Sequence, residues 1–205
     1  MLNLDKFEVE TDGKYGIPAN KGTKKIPNVE FWVNYREKIA NPATVGCHFF
    51  LDDYRFANLW NQPDRYVDII RQFGAVLSPD FSTYTDMPRA LQIFNHYRKQ
   101  WCAAYWEKLG ITVIPTISWG DRESFDFCFD GVPSDSVVAV SSVGCIKNAE
   151  ARKNFEYGFE AMLERLNPCS VLYYGKKHTE SPLIVEMGTP FYNKFTKKER
   201  KKDGR

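Results

Sequence analysis

Four aspartates lie just after apolar runs of the sequence, where side chains can carry acid–base or metal chemistry: Asp52, Asp53, Asp80 and Asp121. Two or three carboxylates that converge could serve as nucleophile and general acid or base for glycosidic-bond chemistry, because neighbouring like charges raise one pKa. The same oxygens could instead hold Mg²⁺ for phosphate chemistry. A structural interpretation also stands, since acids after strands cap helices and accept hydrogen bonds from loop amides.

Five further side chains near the predicted strand ends are candidates for substrate binding: Tyr54, Phe81, Trp119, Ser142 and Tyr174. Aromatic rings beside carboxylates could stack a base or a sugar, although aromatic residues near loops also serve in packing. Asp80 is the strongest single candidate for a functional residue. Pro79 fixes the turn before it, and the Phe-Ser-Thr sequence after it offers a ring and two hydroxyl groups.

The segment 73–121 positions two of these acids, Asp80 and Asp121. It is predicted to form a strand at 75–77, a helix from after residue 86 to residue 110, and a strand at 111–117. A helical crossover makes consecutive strands parallel, so both acids should leave the same edge of one sheet. The helix should bury Met87, Leu91, Phe94, Trp101, Tyr105 and Leu109 and expose Gln92, Asn95, His96 and Lys99.

Polar residues collect after the predicted strands, which lie at 47–51, 75–77, 111–117, 136–140, 170–174 and 183–185. Further helices are predicted at 63–73 and 149–166. We therefore predict an α/β fold with a parallel sheet of five or six β–α units, arranged as a barrel-like or partial (β/α) barrel. No G-x-G-x-x-G or G-x-x-x-x-G-K-S loop follows a strand, so no dinucleotide cofactor is expected, and Mg²⁺ is the one cofactor that the acids leave open.

The length of 205 residues fits one domain with attached segments. Residues 1–45 should form an irregular N-terminal wrap, 46–190 the α/β domain, and 191–205 a basic, disordered tail. The 43% apolar composition without a long apolar run predicts a cytoplasmic protein that does not span a membrane. The five cysteines lack a C-x-x-C pair, so reduced thiols and no zinc site are expected. The oligomeric state stays open.

Three motifs carry a resemblance to known proteins: HFFLDDYRF, SPDFS followed by DMP, and ISWGD. Together they resemble a family of unknown function from Gram-positive bacteria, phages and mobile elements, which implies a context but no catalytic residues. The later strand ends are also similar to those of queuine-type tRNA and DNA base-exchange barrels, which implies a barrel and base binding. Trp119 and Gly120 reverse that family's order, its zinc-binding cysteines are missing, and its aspartate nucleophile has no clear counterpart.

Two functional hypotheses follow from the sequence. The first is an enzyme that acts on a nucleoside, nucleotide or nucleic-acid base through carboxylates at the C-terminal edge of the sheet. Its reaction would be glycosidic-bond hydrolysis or transfer, or Mg²⁺-dependent phosphate processing. The second is a non-catalytic phage or mobile-element accessory protein that binds nucleic acid or a host protein, with nucleic acid contacting the basic tail and exposed aromatic residues.

Overall fold

The computed structural model describes residues 2–145 and 147–188. Within them the strands are β1 (Thr11–Asp12), β2 (Ile17–Pro18), β3 (Trp32–Asn34), β4 (Gly46–His48), β5 (Ala75–Leu77), β6 (Val113–Ile114), β7 (Thr116–Ile117), β8 (Val137–Ser141), β9 (Ser170–Tyr174) and β10 (Ile184–Glu186). The α-helices of the same residues are α1 (Asn58–Asn61), α2 (Pro63–Ile70), α3 (Arg89–Lys108) and α4 (Ala149–Leu166). The tail predicted at 191–205 lies outside the described residues.

Eight of these strands form two parallel sheets of four. One sheet has the order β3-β4-β5-β6 and the other has the order β10-β9-β8-β7, whereas β1 and β2 form a separate antiparallel pair. Pro115 separates β6 from β7 and has no N–H for a sheet hydrogen bond, so the chain passes from the first sheet to the second at this residue. The structure confirms a mixed α/β fold with parallel sheets.

The two sheets share a core. The inner apolar cluster draws residues from both of them: Trp32, Ala75, Leu77, Ile114, Val137, Ala139, Leu172 and Met187. Gly46 makes room for Trp32, because a Cβ at residue 46 would lie 2.4 Å from the indole ring. The backbone N–H of Trp32 also donates to the carbonyl oxygen of Gly188, just after β10, at 2.8 Å. Within the described residues, however, no closed barrel is shown.

Helices connect only some of the parallel strands. In the described part of the chain, α1 and α2 lie between β4 and β5, α3 lies between β5 and β6, and α4 lies between β8 and β9. The link from β7 to β8 contains only a short 3-10 helix, Arg122–Asp126, and the link from β9 to β10 contains no helix. The predicted count of five or six β–α units is therefore not confirmed.

The N-terminal segment contributes to this fold. It supplies β3, which pairs in parallel with β4. The backbone N–H groups of Lys21 and Gly22 donate to the carboxylate of Glu107 in α3 at 2.7 and 2.8 Å. The segment is thus tied to the domain by a strand and by hydrogen bonds to a helix. No helix in the part of the chain that the structure describes has the length and apolar character needed to cross a membrane.

The prediction for α3 is confirmed for Trp101, which is 1% exposed, but is wrong for Leu91 and for the polar face. Leu91 is 51% exposed, whereas five polar residues are buried: Gln92, Asn95, His96, Lys99 and Gln100. Their spacing of i, i+3, i+4, i+7 and i+8 is that of the core-facing stripe of a helix. All five side chains have hydrogen-bond partners in the loops that follow β5 and β7. Burial is tolerated because these loops satisfy the polar groups.

Candidate functional site

A cleft of ≈ 1590 Å³ opens at the carboxyl ends of four parallel strands. Its wall consists of the loops that follow β4, β5, β7 and β8, together with the first turns of α4. Ligands of parallel α/β folds bind at this edge of the sheet. The predicted site residues are therefore expected at this cleft.

The structure brings some of the predicted site residues to the cleft and leaves others away from it. The predicted residues that line the cleft are Asp52, Asp80, Trp119 and Asp121. The remaining predicted residues, Asp53, Tyr54, Phe81, Ser142 and Tyr174, do not line it. The proposed roles of all nine residues stay predictions, and the contacts of each residue indicate which roles its side chain can perform.

Asp80 forms an ion pair with a buried lysine from α3. Nζ of Lys99 lies 3.3 Å from Oδ1 of Asp80, and the lysine side chain is 0% exposed whereas the aspartate is 23% exposed. The same ammonium group donates to the hydroxyl of Ser118, directly after β7. Ser118 lines the cleft beside Asp80. Lys99 of α3 thus places a positive charge beside the carboxyl ends of β5 and β7.

The surroundings of Asp80 alter its acidity. Withdrawal from water raises the pKa of Asp80, while the charge of Lys99 and the hydrogen bonds from Lys99 and Ser118 partly oppose that rise. The raised pKa favours retention of a proton, which a general acid needs. Lys99 was missed by the sequence analysis because it was assigned to a solvated face.

Asp53 holds two loops together. Its carboxylate accepts hydrogen bonds from the backbone N–H of Ser82 at 3.2 Å and from the Ser82 hydroxyl at 2.8 Å. Nη2 of Arg98 lies 3.5 Å from the same carboxylate, and the guanidinium lies 3.6 Å from the ring centroid of Phe81. Phe81 is fully buried. These contacts position the loop that carries Asp80.

Asp121 caps a helix and pairs with an arginine. Its carboxylate accepts from the backbone N–H of Ser124 at 3.0 Å, which caps the 3-10 helix Arg122–Asp126. Nη2 of Arg89 lies 3.0 and 3.1 Å from the two carboxylate oxygens. The contacts of Asp121 therefore match the structural interpretation of acids after strands.

Trp119 is held against α4 along the cleft wall. Its Nε1 donates to the carbonyl oxygen of Asn154 at 3.2 Å, and its ring centroid lies 5.4 Å from that of Phe155. The Asn154 side chain donates to the carbonyl oxygen of Gly120. These two hydrogen bonds help to join α4 to the loop after β7.

The other predicted binding residues make different contacts. Ser142 is buried, and its hydroxyl donates to the carbonyl oxygen of Lys176 at 2.8 Å. The Tyr174 ring stacks on Phe50 with centroids 4.9 Å apart. Tyr54 is 78% exposed and lies outside the cleft lining. Tyr174 does not line the cleft, whereas Phe50, on which its ring stacks, does.

The acids do not assemble into a cation site. In the described residues, no group of three or more His, Cys, Asp or Glu side chains is arranged to hold a metal ion. The carboxylates of Asp53, Asp80 and Asp121 are each paired with a cationic side chain instead.

Comparisons with known proteins place the chain in a family. A family described as "Domain of unknown function (DUF4417)" matches residues 9–186. The chain is 40% identical over 190 residues to the Gene 1 protein of Mycobacterium phage L5, covering 91% of this chain and 82% of that protein. It is 40% identical over 178 residues to the Gene 1 protein of Mycobacterium phage D29, covering 86% of this chain and 66% of that protein. No solved structure matches significantly.

These matches confirm the resemblance to an uncharacterised family with phage members. The similarity to queuine-type barrels is not confirmed by them. A family match over residues 9–186 covers most of the chain. The chain therefore belongs to the DUF4417 family, and it is similar to the Gene 1 proteins of two mycobacteriophages.

Proposed function

We propose that the chain is an enzyme that cleaves or exchanges a glycosidic bond in a nucleoside, nucleotide or nucleic-acid base substrate, with Asp80 as its acid–base group. The ion pair between Asp80 and the fully buried Lys99 carries this proposal. Burying an ammonium group costs free energy, and apolar residues in place of a buried ion pair are often neutral or stabilising. Such a pair at the wall of a cleft is a candidate functional group.

The chemistry uses groups that line the cleft. Asp80 takes up a proton when substrate binds, which its raised pKa favours, and donates it to the leaving base nitrogen as the bond from that nitrogen to the sugar carbon breaks. Water forms the new bond to that carbon and returns a proton to Asp80, so the products are the free base and the free sugar. Lys99, which also donates to Ser118, holds the Asp80 carboxyl group in place. Asp52 is exposed in the same cleft and could stabilise positive charge on the sugar.

A barrel-like arrangement of the two sheets is part of this proposal. The hydrogen bond between Trp32 and Gly188 and the inner apolar cluster that contains residues of both sheets support it. In a barrel, loops after several strands contribute to one site. The cleft wall has this composition, because loops after β4, β5, β7 and β8 all contribute to it.

Base release tests the proposal. Purified protein is incubated with ribonucleosides, deoxyribonucleosides and single-stranded oligonucleotides, and free base is measured by chromatography. We expect release by the wild type and at least about 100-fold less by Asp80→Asn, which removes the acid but keeps the shape of the side chain. Asp68→Asn is the matched control, because the Asp68 side chain is 91% exposed and lies outside the cleft lining.

The same assay separates the enzyme from the alternative of a non-catalytic accessory protein. An accessory protein would bind nucleic acid or a host protein without releasing base from any substrate. Equal base release by wild type and Asp80→Asn would also reject the role of Asp80. The melting temperature of each variant is recorded beside its activity, so that loss of fold is not mistaken for loss of chemistry.

A further inference from the structure

Trp119 differs from the other tryptophans of the chain in its exposure. The chain has five, all within the described residues, and Trp32, Trp60, Trp101 and Trp106 are at most 4% exposed. Trp119 is only partly buried and lines the cleft. An indole ring that contacts solvent inside a cleft can offer a flat apolar surface to a ligand.

Helix α4 fixes the position of this ring. Gly158 lies beneath it, because a Cβ at residue 158 would be 2.1 Å from both Nε1 and Cε2 of Trp119. Glycine is unfavourable in a helix interior relative to alanine. Here the absence of a side chain lets the indole approach α4 closely enough to donate to the carbonyl oxygen of Asn154. The ring is therefore prepositioned before a ligand arrives.

The fixed ring lines the same cleft as the proposed acid–base group. Trp119 directly follows Ser118, whose hydroxyl accepts a hydrogen bond from Lys99, the ion-pair partner of Asp80. A flat π-system can lie over the whole indole face, whereas a sugar offers it only a puckered face of C–H groups. The neighbouring hydroxyl and carboxyl groups suit the polar edge of a nucleobase.

We infer that Trp119 is the stacking platform for the base of a nucleoside and that Gly158 is the residue that keeps this platform in position. The inference rests on the proposed function and deepens it, because it assigns the part of the substrate that the cleft recognises. Gly158 is a positioning residue, since it acts through the indole ring. Neither Gly158 nor Asn154 was identified from the sequence.

Tryptophan fluorescence tests the inference directly. Wild type and Asp80→Asn are titrated with adenosine, uridine and ribose, and the emission is corrected for absorbance. We expect both nucleosides to quench the emission of both proteins and ribose to leave it unchanged, because Trp119 alone among the tryptophans is accessible in the cleft. Quenching by ribose to the same extent, or no quenching by either nucleoside, would overturn the inference.

Substitutions of Trp119 and Gly158 separate the role of the stacking ring from that of the residue that positions it. By calorimetry, Trp119→Leu should weaken nucleoside binding about 5- to 150-fold, the range for losing one base–aromatic stack. Gly158→Ala should weaken binding at least about 5-fold by displacing the ring. The matched control is Gly188→Ala, because a Cβ at residue 188 would meet nothing within 4 Å. Unchanged affinity in folded Trp119→Leu would contradict the platform.

The two proposals fail in different ways. Base release by the wild type without tryptophan quenching would leave the glycosidase proposal standing and reject the platform. Quenching by nucleosides without base release would support the platform and reject the glycosidase. Titration of Asp80→Asn keeps the binding measurement independent of turnover.

Discussion

Lys99 and Asp80 form an ion pair in which the lysine has no exposed surface. Nζ of Lys99 lies 3.3 Å from Oδ1 of Asp80, with side-chain exposures of 0% and 23%. The two residues come from α3 and from the loop after β5, which are distinct elements of the fold. Each charge compensates the other, so removal of either one should affect both stability and the cleft.

Replacing Lys99 by methionine should destabilise the protein. We expect Lys99→Met to lower the free energy of unfolding by about 3 kcal/mol, the lower end for breaking a buried ion pair, because Asp80 keeps some contact with water. Urea denaturation at pH 7 measures the loss. The double variant Lys99→Met/Asp80→Asn should recover most of it, and a double variant as unstable as the single one would contradict charge coupling.

The loss of unfolding free energy in Lys99→Met should depend on pH. Burial raises the pKa of Asp80, and Lys99 opposes that rise, so the pKa in the variant lies higher still. A carboxyl group with a raised pKa keeps its proton in the folded state after the unfolded chain has released it. Stability relative to wild type should therefore fall as pH rises from the raised pKa of Asp80 in the wild type to its still higher pKa in the variant. A stability difference that is constant from pH 3 to pH 8 would count against this explanation.

His96 should make the fold sensitive to acid. Burial and, to a lesser extent, Lys99 lower the pKa of His96 from 6.5 to about 3. The unfolded chain thus binds a proton that the folded chain excludes, and stability falls as pH drops from 6.5 toward 3. The His96→Gln variant takes up one proton fewer on unfolding. Its stability should therefore fall less steeply with acid, by about 1.4 kcal/mol per pH unit. Urea titrations between pH 4 and pH 7 measure the slope.

The histidine variant has an internal control at neutral pH. Nε2 of His96 donates to the carbonyl oxygen of Asp130 at 2.9 Å, and a glutamine amide can make the same hydrogen bond. Wild type and His96→Gln should therefore differ little in stability at pH 7.5. Identical acid slopes in the two proteins would show that His96 is not the group that titrates. Any remaining histidine contribution should come from His48, whose pKa is lowered by burial to about 4.

Two adjacent substitutions on α3 test which face of the helix is buried. Gln92→Leu should cost about 2 kcal/mol, because Nε2 of Gln92 donates to the carbonyl oxygens of Tyr84 and Met87 at 3.0 and 2.9 Å. Leu91→Gln should change stability by at most about 0.5 kcal/mol, since Leu91 is 51% exposed. Thermal melts of both variants give the comparison. The reverse order of stabilities would restore the face predicted from the sequence.

The sequence shows the helical spacing of α3 but not that its polar stripe is buried. Residues 92, 95, 96, 99 and 100 have the spacing of a buried stripe, yet all are polar, so their burial could not be read from hydrophobicity. They are buried because loop carbonyls and strand-end groups satisfy them. Those partners come from the loops after β5 and β7, and pairing between loops and a helix face is a tertiary property.

The strand ends were more predictable than the roles of their residues. Apolar runs indicated β5, β8 and β9 closely, and the acids after strands pointed to the edge where the cleft lies. The sequence could not show that Asp53 would bind Ser82 and Arg98 while Asp80 would meet Lys99. These pairings depend on how the loops pack, and sequence spacing does not determine that packing. Gly158 offered the one remaining signal, an isolated glycine in a helical pattern.

Asp121 should prove to be structural although it lines the cleft. It caps the 3-10 helix through Ser124 and pairs with Arg89, and its side chain is 37% exposed. Asp121→Asn keeps a capping oxygen and loses only the ion pair, so its stability should fall by at most about 1 kcal/mol. Asp121→Ala loses both contacts and should lose about 1 to 2 kcal/mol. Base release should be unchanged in either variant, because the carboxylate is already engaged by Arg89.

Parallel assays of Asp80→Asn and Asp121→Asn show whether base release depends on one particular carboxyl group. Both substitutions remove one carboxylate charge from the cleft lining and keep the size of the side chain. If only Asp80→Asn loses base release, the chemistry depends on the carboxyl group paired with Lys99 and not on negative charge in the cleft as such. If Asp121→Asn also abolishes release with its melting temperature intact, then Asp121 takes part in catalysis as the sequence predicts, and the bond to Arg89 must open when substrate binds.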